Sequence, residues 1–143
     1  MNYSIKHLFH IDAEPSAIFT ALTSVEGLSN WWTVQVEGSC KNGDVLNFDF
    51  GDFEGPRMKT IVLEANKNLT WECQENKQGW TGNHISFLLD ENEGKTRIRF
   101  EHNGFQEQDD FYAACNFSWG RYLESLRQYC QTGTGKAFGS KEY

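Results

Sequence analysis

The chain has no long apolar run, no cluster of one charge sign and no paired cysteine motif, and each absence removes a class of function. A membrane-crossing helix needs about 20 mostly apolar residues in succession, and runs such as Phe87-Leu88-Leu89 fall far short. The opening residues Met1-Asn2-Tyr3-Ser4-Ile5-Lys6-His7 carry polar groups where a secretory leader has its apolar stretch, so no leader is expected. Lys and Arg total 13 against 20 acids, a net charge of −7, and they never gather into a stripe. A nucleic-acid binder needs such a stripe to replace counterions, and an anionic membrane would repel this chain. Neither nucleic acid nor membrane is expected as a partner. Cys40, Cys73, Cys115 and Cys130 are widely spaced, with no C-x-x-C pair. Their even number is compatible with two disulfides, but without a leader the expectation is free thiols in the cytoplasm.

What is present in excess is aromatic side chain, 15% of 143 residues. Each ring buries a large area, so a core or a pocket needs few of them. The length fits one domain spanning residues 1–143, long enough to bury about two-thirds of its unfolded surface.

Patterning along the chain indicates an α+β domain. Ile5 to Ile11 alternates as a strand, with Ile5, His7, Phe9 and Ile11 on one side. Asp12-Ala13-Glu14-Pro15 changes the period: Asp12 or Ser16 can cap a helix, Pro15 suits its first turn, and Ile18, Phe19 and Leu22 recur at helical spacing. Gly27 is read as a break, followed by a second short helix from Leu28 to Trp31 or Trp32. From Thr33 to His102 strands alternate with turns such as Asn42-Gly43 and Asn92-Glu93-Gly94, and a loop is expected over Gly51 to Pro56. Each strand has one apolar and one polar face, the pattern of an antiparallel sheet covered on one side. Asp109 and Asp110 open a helix running to about Thr132, with Cys115, Trp119, Tyr122, Leu126 and Tyr129 as its stripe and Gly133 as its stop.

Three stretches carry a family likeness: Pro15-Ser16-Ala17-Ile18-Phe19-Thr20-Ala21-Leu22, Leu28-Ser29-Asn30-Trp31-Trp32, and Trp119 to Tyr129 followed by Gly133-Thr134-Gly135-Lys136-Ala137-Phe138. With the element order, they resemble the START/polyketide-cyclase superfamily, and within it the branch related to the C-terminal domain of the Hsp90 ATPase activator. The resemblance implies the helix-grip fold: a curved antiparallel sheet of about seven strands wrapped around a long C-terminal helix, with two short helices after the first strand. It also implies a cavity between the concave face and that helix, used in the superfamily for lipids, hormones, polyketides or other apolar molecules.

No catalytic or metal constellation is legible. His7 and His10 lie three apart on a strand and face opposite ways, and no His/Cys/carboxylate spacing matches a metal site. No metal or cofactor is therefore expected. Cys73 and Cys115 read as buried apolar fillers, because neither has a base or cation in local sequence. Gly133-Thr134-Gly135-Lys136 lacks the glycine spacing and strand-to-helix setting of a phosphate loop. The inward registers instead align Phe48, Phe50, Trp71, Phe87 and Phe100 on strands with Trp119 and Tyr122 on the helix. These seven rings, with Thr60, His102 and the Tyr122 hydroxyl as polar groups, are the candidate ligand-binding set. The first functional expectation is a binding module for a small hydrophobic molecule. Two alternatives remain beside it: a polyketide cyclase or aromatase-like enzyme, for which no acid–base pair is visible, and an interaction protein for Hsp90.

Overall fold

The structure, a computed structural model, describes residues 2–143. In chain order it contains β1 (Tyr3–Ile11), α1 (Pro15–Leu22), α2 (Val25–Trp31), β2 (Gln35–Gly38), β3 (Val45–Phe50), β4 (Phe53–Glu64), β5 (Asn68–Glu75), β6 (His84–Asn92), β7 (Lys95–Phe105) and α3 (Asp110–Thr132). The strands form one sheet in the order β1-β7-β6-β5-β4-β3-β2, antiparallel throughout. The two short helices carry the chain from one edge strand, β1, to the other, β2. Alternation then places Ile5, Ile98, Phe100, Ile85, Phe87, Leu69, Trp71, Met58, Leu46 and Phe48 on one buried face, against α2 and α3. This is the expected helix-grip architecture.

Both ends of α3 follow from their side chains. The Asp109 carboxylate accepts from the Tyr112 N–H at 3.0 Å, and Gly133, at φ 87°, donates its N–H to the Tyr129 carbonyl at 2.8 Å. Elsewhere the boundaries differ from the sequence reading. Neither Asp12 nor Ser16 caps α1; Glu14 holds that position through its backbone carbonyl alone, which accepts from Ala17 and Ile18 at 3.1 and 3.2 Å. Gly27 does not separate two elements but sits buried inside α2, which Ser24 caps through a 3.0 Å bond from the Gly27 N–H. A Cβ on Gly27 would lie 2.5 Å from the Ala21 carbonyl oxygen, so the glycine exists to let α2 approach α1. The loop expected over Gly51 to Pro56 shrinks to a turn at Gly51-Asp52, and β4 begins at Phe53. Pro56 is tolerated in that strand because the β3–β4 ladder shifts register beside it, between Asn47 and Asp49.

After α3 the chain turns back onto the domain. Lys136 donates its N–H to the Ser125 hydroxyl at 2.7 Å, and Gly135 leaves no room for a Cβ against the Asn30 carbonyl. Phe138 is held by two backbone bonds, its N–H to the Trp32 carbonyl at 2.9 Å and its carbonyl from the Val34 N–H at 3.0 Å. The Gly-Thr-Gly-Lys segment is thus a structural anchor.

Candidate functional site: an aromatic cleft at one end of the grip

A cleft of about 510 Å³ lies where four pieces of chain converge beside the N-terminal half of α3. Phe111, Ala114, Cys115, Ser118, Trp119 and Tyr122 recur every three or four residues and give α3 one continuous lining face. The β3–β4 hairpin contributes Phe50, Phe53, Gly55 and Pro56, and the β5–β6 loop contributes Asn76, Gln78 and Trp80. Trp32 forms part of the inner wall, and Phe138 and Tyr143 close one side. Phe53 and Tyr143 are 53% and 43% exposed, which marks the rim.

The lining contains no Asp, Glu, Lys, Arg or His. Its polar atoms on the β5–β6 side are mostly spent on one another. Asn76 donates to the Gln78 side-chain oxygen at 2.7 Å and accepts from the Trp80 N–H at 3.1 Å. The Trp80 indole donates to Cys115 Sγ at 3.4 Å. Burial pushes the Cys115 thiol and the Tyr122 phenol above their ordinary ranges, so both stay protonated at neutral pH. Chemically, such a surface can desolvate and orient an uncharged molecule. The volume falls within the roughly 300–1,000 Å³ of small-molecule sites.

Beneath the cleft a buried polar relay fixes its floor. Trp119 Nε1 donates to His102 Nδ1 at 2.9 Å, and the Asn83 amide lies 2.9 Å from His102 Nε2. An indole N–H can only donate, so the imidazole proton resides on Nε2 and Asn83 must meet it with its oxygen. Gly104 makes room for Asn83, since a Cβ there would come within 2.4 Å of that side chain. Burial lowers the His102 pKa to about 3 and keeps the ring neutral. Trp80 stacks on Trp119 with ring centres 5.7 Å apart and planes 14° from parallel, so the relay aligns two indoles as one wall.

Of the residues singled out from sequence, Phe50, Trp119 and Tyr122 line the cleft. Phe48, Trp71, Phe87 and Phe100 do not. They interlock edge-to-face or tilted, with centroids 5.7 Å apart for Phe48–Trp71, 5.5 Å for Trp71–Phe87 and 5.2 Å for Phe87–Phe100, and fill the middle of the concave face. His102 is buried behind Trp119, and Thr60 is buried in β4 with no partner for its hydroxyl among the described residues. The opening has therefore moved from the centre of the grip to its end. Sequence reasoning missed Trp32, Phe53, Trp80, Phe111, Phe138 and Tyr143. Phe111 was legible, one helical turn before Cys115. The others come from loops and element ends, where no periodicity reports direction.

Among the described residues no cluster of three or more His, Cys, Asp or Glu is placed to hold a metal ion. No helix there is long and apolar enough to cross a membrane.

A sheet gripping one long helix, with an uncharged aromatic cleft at the helix's N-terminal half, defines a helix-grip domain of the START/polyketide-cyclase type. The chain belongs to the family described as "Activator of Hsp90 ATPase homolog 1-like protein", whose model matches residues 12–131. It is similar to the protein in the solution structure of the Aha1 dimer from Colwellia psychrerythraea, at 36% identity and TM-score 0.85, covering 93% of this chain and 99% of that one. Two more distant likenesses show the fold alone. Protein MLL2253 from Mesorhizobium loti has 21% identity and TM-score 0.77, over 88% of this chain and 95% of that one. CalU16 from Micromonospora echinospora has 17% identity and TM-score 0.71, over 90% of this chain and 73% of that one. No curated protein matches the chain.

Proposed function

We propose that the domain binds one small, uncharged, hydrophobic molecule in the cleft between α3, the β3–β4 hairpin and the β5–β6 loop. The observation that carries this reading is a lining that is largely aromatic and has no charged side chain, at a volume suited to a small ligand. Holding is proposed ahead of turnover, because burial keeps the phenol and thiol groups there protonated and the lining offers no charged side chain. A native mass spectrum of protein purified without detergent tests it. The expected result is a retained neutral adduct in the wild type that is lost in Ala114→Trp, which fills the cleft from an exposed helix position.

A second reading rests on the family itself and on the half-exposed rim. The family description names an activator of the Hsp90 ATPase, and Phe53, Phe111 and Tyr143 present apolar surface around the mouth. In that reading the cleft's rim docks on Hsp90. Capture of the host's own Hsp90 with a rise in its ATPase, together with no small-molecule adduct or binding, would replace the first reading by the second.

A further inference from the structure

Tyr122 and Tyr143 place their hydroxyl oxygens 3.2 Å apart at the side of the cleft closed by the segment after α3. Their rings lie 6.4 Å apart and 21° from parallel. The Tyr143 ring is held from two further directions, by the Arg121 guanidinium 4.0 Å over its face and by Phe138 at 5.2 Å. Phe138 is itself pinned by its two backbone bonds, so the Tyr143 ring packs against an anchored neighbour.

Two phenols supply two O–H donors and four lone pairs. One donor and one lone pair are used between them, and neither oxygen meets another polar atom of the described residues. One O–H and several lone pairs therefore remain at the edge of an aromatic surface. Across the cleft the Asn76 side chain, the Gln78 oxygen, the Trp80 indole and Cys115 engage one another, while the Gln78 NH2 and the Ser118 hydroxyl stay open; the phenol pair differs from those two in being two hydroxyls joined to each other and packed on Arg121 and Phe138. The phenols themselves carry no charge, burial opposes ionisation of Tyr122, and the nearest cation, Arg121, is stacked on the Tyr143 ring face.

From this we infer that the Tyr122–Tyr143 hydroxyl pair is the polar anchor of the cleft. The ligand class is a neutral aromatic molecule with a carbonyl or hydroxyl oxygen at one end. Its flat body lies against Trp80 and Trp119, its oxygen engages the two phenols, and Tyr143 makes the segment after α3 part of the site. The inference rests on the binding reading above and adds the ligand's chemistry to it.

Three probes of one size separate the two claims: naphthalene, 2-naphthol and 2-naphthoate, titrated into the isotope-labelled chain and read on the indole N–H resonances. In the wild type 2-naphthol should bind roughly 3- to 10-fold more tightly than naphthalene, the worth of one net hydrogen bond, and the 2-naphthoate anion should bind more weakly than 2-naphthol. Tyr143→Phe keeps the ring and its packing and should reduce the hydroxyl preference. Tyr122→Phe/Tyr143→Phe should abolish that preference, so that naphthalene and 2-naphthol bind alike. Naphthalene and 2-naphthol binding equally to the wild type, or a preference that survives in the double variant, would overturn the anchor while leaving the cleft reading intact. A full preference retained in Tyr143→Phe would remove the post-helix segment from the site. Failure of all three probes to bind would overturn the cleft reading and this inference with it.

Discussion

His102 accepts from Trp119 at one ring nitrogen and donates to Asn83 through the other, so a second proton would break the Trp119 bond and leave a charge in an aromatic core. Its pKa is about 3 when folded, against an ordinary value near 6.5. Below pH 6.5 the unfolded chain takes up a proton that the folded chain refuses, so this group's contribution is fully present above 6.5 and is lost as pH falls towards 3. Urea unfolding should therefore show a loss of about 2 kcal/mol between pH 7.5 and pH 5, with His102→Gln less stable overall but lacking that dependence. Equal slopes in both proteins would place the effect elsewhere. Thr60 presents the opposite case, a buried hydroxyl with no partner among the described residues. Thr60→Val should be neutral or stabilising by up to about 1 kcal/mol in the same assay, since it removes an unpaid desolvation cost. Thr60→Phe should cost about 1–3 kcal/mol by overpacking. The sequence placed both residues on the inward face correctly. It contained no sign that one would be fully bonded and the other not, because that depends on loops and on the helix opposite.

At the scale of elements, two helical glycines look alike in sequence and differ in what surrounds them. Gly27 meets the backbone of α1, whereas a Cβ on Gly120 in α3 would touch only the His7 ring, at 3.6 Å. Gly120→Ala should raise stability by up to about 1 kcal/mol, the helix-propensity gain. Gly27→Ala should lower it by about 1–3 kcal/mol, because the helices must separate. Thermal or denaturant unfolding of the pair checks this, and two changes of the same sign would contradict it. The contrast also explains which boundaries were legible. The strands, and α3 with its Asp109 cap and Gly133 stop, follow from local period and turn chemistry. The start of α2 does not, because its glycine answers a tertiary approach that no local pattern encodes. The β4 extension through Gly55 and Pro56 is likewise permitted by the register shift in its partner strand.

At the scale of the molecule, the aromatic surplus divides into two structures. Rings on central strands pack against each other and seal the middle of the grip, while rings from the hairpin, the β5–β6 loop and the segment after α3 surround an opening at its end. Periodicity identified the first group and three of the nine rings of the second, Phe50 on β3 and Trp119 and Tyr122 on α3. Burial suppresses the thiols in both parts: Cys40 and Cys73 are pushed to about 11 and Cys130 to about 12, Cys115 in the cleft wall is raised as well, and no disulfide joins any of the four. Alkylation should accordingly be slow on the folded protein at pH 7.5 and reach four labels after denaturation without reductant. Two labels or none would mean that disulfides form in the purified protein.

The central claim, that the cleft is a site for an uncharged apolar molecule, is tested most directly by titration with a neutral dye such as Nile red, in wild type and Ala114→Trp side by side. Saturable binding at one equivalent is expected, with a change in tryptophan emission from the cleft walls. A stability gain of about 2.7 kcal/mol is expected at a hundred times the dissociation constant. Ala114→Trp should weaken binding at least tenfold while shifting unfolding free energy by no more than about 0.5 kcal/mol, as expected for an exposed position. Absence of saturable binding, or equal binding by the filled variant, would contradict it.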